Sequence, residues 1–100
     1  MIETVYTYHT GDNTKIERII EDGGVRINLL TLGAGEGADP HPTPDDAHMI
    51  VAKGTLNVAL GEQDFHTYEE GTIIKIPANT MMNLKNGGST VLRVFVIKKQ

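Results

Sequence analysis

One hundred residues with 39% hydrophobic content can bury one core and leave no room for a second, so residues 1–100 read as a single domain. A formal charge of −4 offers no basic face for phosphates, which speaks against nucleic acid as a partner, and the absence of cysteine excludes disulfides, thiolate nucleophiles and cysteine-based metal centres. No apolar run approaches the roughly 20 residues of a membrane span, and the opening from Met1 to Tyr8 lacks the regions of a signal peptide, so the expectation is a cytoplasmic protein with no membrane partner.

Eleven glycines, four prolines and no long helix-forming block predict short strands joined by tight turns, an all-β domain. In chain order, residues 1–14 read as an N-terminal strand or arm, with Ile2 to Tyr8 a candidate for exchange with a second copy. Residues 15–21 are ambiguous, because Ile16, Ile19 and Ile20 also fit one face of a short helix; a strand feeding the turn at Gly23 and Gly24 is the preferred reading. Further strands are predicted over residues 25–32, 48–53, 55–60, 63–67, 72–76, 81–85 and 90–97. Gly61 with Glu62 and Asn86 with Gly87 and Gly88 read as hairpins, and Glu70 with Gly71 opens a strand. Lys98 and Lys99 read as a solvated chain end.

Residues 33–46 interrupt this rhythm. Three glycines, three prolines and four acidic residues cannot form a central strand, and long loops on rigid sheets are where function concentrates. The loop runs into the densest set of candidate ligands, Asp39, His41, Asp45, Asp46 and His48. Beside Pro44, the two adjacent aspartates also have a purely local use as turn formers.

The glycine and proline spacing resembles the cupin superfamily, whose two motifs hold a glycine, two histidines, a glutamate and a glycine, then a glycine, a proline, a glycine, a histidine and an asparagine. Gly35, His41 and Gly54 match the first motif, and Gly71, Pro77 and Asn86 match the second, without a gap. Asn79 stands where the family has glycine, and asparagine is the next most tolerant of a left-handed backbone. The resemblance implies a cupin-type double-stranded β-helix, a jelly-roll barrel, and a homodimer. It also implies metal ligands at four positions, which here are His41, Thr43, Ala47 and Met82. One imidazole, a hydroxyl, a methyl and a thioether do not make the family's three-histidine, one-carboxylate site. An ordinary metal-dependent dioxygenase or isomerase is therefore disfavoured.

His48 lies one residue past the glutamate position. With regular alternation Ala47, Met49 and Val51 point inward and His48 outward. A β-bulge would reverse this, and His41 and His48, with Asp46 or Thr43, could then hold a divalent ion such as zinc, iron, manganese or nickel in a lyase, isomerase or oxygen-dependent enzyme. The regular register instead implies no metal cofactor and a mainly apolar pocket of His41, Thr43, Met49, Met82 and Leu84, suited to a small, largely apolar or weakly acidic ligand. Met49 and Met82 equally suit a filled core, which would leave a vestigial pocket and an accessory role. Met81 would then face outward. Ser89 has no histidine near it in sequence to act as base, and His9 and His66 are isolated.

Overall fold

The computed structural model describes residues 2–99; Met1, the first residue of the expected arm, lies outside them. Among the described residues there are nine strands: β1 (Lys15–Asp22), β2 (Val25–Leu32), β3 (His41–Thr43), β4 (Ala47–Lys53), β5 (Thr55–Leu60), β6 (His66–Glu69), β7 (Ile73–Ile76), β8 (Thr80–Asn86) and β9 (Leu92–Lys99). Among the described residues no helix is long and apolar enough to cross a membrane. A five-stranded sheet in the order β1-β2-β9-β4-β7 faces a four-stranded sheet in the order β3-β8-β5-β6, and each is antiparallel throughout. This is the all-β domain that the sequence pattern predicts and the double-stranded β-helix that the cupin resemblance implies.

The ambiguous first segment is a strand. Its hairpin with β2 closes on Gly23 and Gly24, both at positive φ (58° and 81°), the conformation that matches the twist of the flanking strands. Alternation along the strands then sorts side chains. Leu30, Leu32, Met49, Val51, Val94 and Val96 from the larger sheet meet Leu56, Val58, Met82 and Leu84 from the smaller one in a closed core. Each buried side chain of this size contributes about 1.5–3 kcal/mol relative to exposure.

Three expectations about connections need correction. The strand predicted over residues 63–67 lies at His66–Glu69, because the Gly61 N–H donates to the Met81 carbonyl (2.8 Å) and holds the end of β5 to β8, leaving a longer loop before β6. Asn86, Gly87 and Gly88 do not close a hairpin: β8 and β9 belong to different sheets, and the turn carries the chain across the barrel. The last strand runs to Lys99 rather than Ile97. The acidic loop also contains a three-residue strand, β3, at the edge of the smaller sheet, where Pro42 costs no central ladder bond.

Residues 10–12 are held against the outer face of the larger sheet by Arg93, which is only 8% exposed. Its guanidinium donates to the carbonyls of Gly11 (3.0 Å) and Thr10 (2.9 Å), and Tyr8 meets Phe95 edge to face with centroids 5.3 Å apart. Farther out, Ile2 and Val5 remain exposed. Replacing Arg93 with Met keeps the aliphatic stem and removes both charge-assisted bonds. We expect a loss of about 2–3 kcal/mol in chemical denaturation and faster proteolysis before residue 15. Unchanged cleavage would show that the segment is held by other contacts.

Candidate functional site

The second-motif framework is explained by backbone geometry. Asn79 has φ 64°, the left-handed value that its position requires, and it follows Pro77 in the corner between β7 and β8. The corner is tied to the acidic loop from both sides, by the Asn79 N–H to the Thr43 carbonyl (2.6 Å) and by the Ala78 N–H to Asp46 Oδ1 (2.8 Å). Asp46 thus holds a turn together.

His41 sits on β3 opposite Met82, on the inward face of the sheet but at the open end of the barrel, so it is exposed. Its Nδ1 lies 3.0 Å from the Asp39 carbonyl oxygen. A carbonyl can only accept, so this nitrogen carries a proton, and in the neutral ring Nε2 is left as an acceptor. His41 lines a cavity of about 70 Å³ with Met82, Leu84, Leu30, Val96 and Lys98, among others. Thr43 and Met49, expected in the same pocket, are fully buried outside its lining. The Thr43 hydroxyl donates to the Asp45 carbonyl (2.7 Å) and so serves its own turn.

Strand β4 keeps regular alternation across Ala47–Ile50: Ala47 and Met49 are buried, and His48 is exposed on the outer face, paired with Lys75 and Ile97. Its register shift falls later, between Val51 and Lys53. His48 and Asp46 accordingly line a separate surface depression with Pro44, Asp45 and Lys75, while His41 lines the interior cavity. Among the described residues no three histidine or carboxylate groups come together as a metal set. The family's ligand positions offer one imidazole, a committed hydroxyl, a methyl and a buried thioether, and this donor set does not fit the metal that the fold often carries. Of the isolated histidines, His66 packs edge to face with Tyr68 (centroids 6.4 Å apart), and His9 is half-buried with its backbone N–H bonded to Glu17 Oε2 (3.0 Å).

Sequence reasoning missed three polar residues of the inner face. Leu32, Leu30, Asn28 and Arg26 follow one another on the inward side of β2, and Lys98 continues the inward series of Val94 and Val96 on β9. Lys98 is therefore no solvated chain end; it lies half-buried and lines the cavity with Asn28 and His41. The usable signal was the alternation itself, carried two residues beyond its last apolar member.

No protein-family model matches the chain. An uncharacterised protein of Methanocaldococcus jannaschii is 35% identical over 99 residues, covering 98% of this chain and 85% of the relative. The crystal structure of an RmlC-like cupin family protein with a double-stranded β-helix fold from the same organism superposes with a TM-score of 0.92 at 33% identity, over 99% of this chain and 92% of that one. A cupin superfamily protein from Desulfitobacterium hafniense matches with a TM-score of 0.76 at 12% identity, covering 93% and 83% of the two chains, which speaks for fold alone.

Proposed function

Because the chain belongs to the RmlC-like cupin family, we propose that it uses the interior of the barrel as a binding site for a small, largely apolar or weakly acidic molecule, without the metal that the cupin fold often carries. The observation that carries this reading is the cavity at His41, Met82 and Leu84, which opens at the family's ligand positions while the donors needed for a metal are missing. At about 70 Å³ it is small against the roughly 300–1,000 Å³ of ordinary ligand pockets, so it suits a molecule of a few heavy atoms. A shift of the unbranched Met82 side chain would admit a larger one. His41 Nε2 supplies an acceptor at the entrance. The exposed Ile2, Val5, Tyr6 and Met81 support a homodimer that covers them, and a monomeric mass in light scattering would remove that part of the reading.

Untagged protein should contain well under one equivalent of transition metal by elemental analysis. A thermal-shift screen with short organic acids and alcohols should raise the melting temperature of the wild type and not of His41→Ala, since a ligand that binds only the folded state stabilises it. Stoichiometric metal that disappears in both His41→Ala and His48→Ala would overturn the metal-free reading in favour of a metalloenzyme.

A further inference from the structure

The inner face of the larger sheet places two cations directly opposite each other at the barrel entrance. Arg26 on β2 pairs with Lys98 on β9, and like charges in directly opposed cross-strand positions, with Cβ atoms about 5 Å apart, destabilise a sheet. Such an arrangement is costly unless an anion lies between the two groups. Among the described residues the protein supplies one to Arg26 and none to Lys98. Glu21 Oε1 lies 3.4 Å from one terminal nitrogen of Arg26, on the side of β1, and among the described residues no ion pair includes Lys98. Two buried polar atoms here also lack partners: Arg26 Nε, a donor, and Asn28 Oδ1, an acceptor. Asn28 and Lys98 line the cavity whose floor is Leu30, Val96, Met82 and Leu84.

We infer that the ligand of this cavity is a short-chain carboxylate bearing a neighbouring hydroxyl, its carboxylate held by Lys98 and Arg26 and its hydroxyl donated to Asn28 Oδ1. This rests on the binding reading above and specifies the ligand's chemistry. Asn28 and Lys98 line the cavity and Arg26 stands across from Lys98 just beyond its lining; same-face neighbours along a strand stand about 7 Å apart, so the three positions suit a group the size of the polar head of a hydroxy acid. The apolar floor then accepts two or three carbons, in keeping with a space of about 70 Å³. Donor and acceptor are both needed, because a plain anion would leave the Asn28 oxygen unpaired, and an unmet buried acceptor carries the full cost of its desolvation.

Isothermal titration with 2-hydroxybutyrate, its amide and butyrate separates the possibilities. The wild type should bind 2-hydroxybutyrate about tenfold or more tightly than the amide, the factor expected for a charge-assisted hydrogen bond, and more tightly than butyrate. Lys98→Met should abolish the preference for the acid, Lys98→Arg should keep most of it, and Lys99→Met, on the opposite face, should leave it unchanged. If Lys98→Met fails to fold, loss of the preference in Lys98→Gln takes its place. Equal binding of acid and amide by the wild type would overturn the hydroxy-acid assignment while leaving the cavity as a binding site. If none of the three binds but larger apolar probes shift the melting temperature, the assignment likewise falls and the binding reading stands; if neither kind of probe binds, both fall.

Discussion

Gly54→Ala should cost about 4 kcal/mol, enough to consume much of the 5–15 kcal/mol by which a domain of this size is stable and to lower the melting temperature by about 15–30 °C. Gly54 joins β4 to β5 as the chain changes sheets, with φ 82°. A Cβ placed there would run into the Val91 carbonyl oxygen and lie 3.1 Å from Leu92 Cα. Both are backbone atoms, one in the first residue of the central strand β9 and one in the residue before it, and cannot rotate away. Gly24→Ala provides the comparison, since Gly24 has φ 81° but nothing within 4 Å of its Cβ position. It should lose only the conformational part, about 1–2 kcal/mol. Equal losses in thermal denaturation of the two variants would show that φ alone, and not the close approach of β9, makes glycine necessary at position 54.

Asn86→Ala should destabilise by about 3 kcal/mol, with a fall in melting temperature of about 12–24 °C. The buried Asn86 amide nitrogen donates toward the carbonyls of Leu32 (3.0 Å), Gly33 (3.1 Å) and Thr90 (2.8 Å), and its Oδ1 accepts from the Gly88 N–H (2.9 Å). One side chain therefore secures the end of β2, the crossing from β8 to β9 and the start of the acidic loop. Asn86→Asp keeps the acceptor for Gly88 but turns a second oxygen toward three carbonyls, so near neutral pH it should be at least as unstable as the alanine variant. An Asp variant close to wild type in urea denaturation would mean that the amide donors are dispensable.

These two positions also show why so much of the fold was legible. Part of what Gly54, Asn79 and Asn86 do is local, a left-handed backbone at the first two and a turn closed through Gly88 at the third, and such demands fix both residue type and spacing. Which strands pair is not local. Asn86-Gly87-Gly88 has the composition of a hairpin turn, yet both edges of β8 are taken by β3 and β5, and the chain crosses to the other sheet, where β9 lies between β2 and β4. The regular register of β4 followed from alternation, and with it the outward placement of His48. The inner polar row was harder to see. Histidines and aspartates cluster visibly in the loop, whereas Lys98 lies 72 residues from Arg26 and 70 from Asn28 in sequence and meets them only because β9 is paired along its whole length with β2.

That pairing governs how the molecule can be made. Strand β9 is the middle of the five-stranded sheet, yet it leaves the ribosome after β1 to β8. Until it arrives, β2 and β4 have no common neighbour and their ladder groups face water. Assembly must then wait on contacts that span most of the chain, the regime in which loop closure makes folding slow. A nascent chain stalled before Leu92 should therefore remain sensitive to protease even though β1 to β8 have already been synthesised.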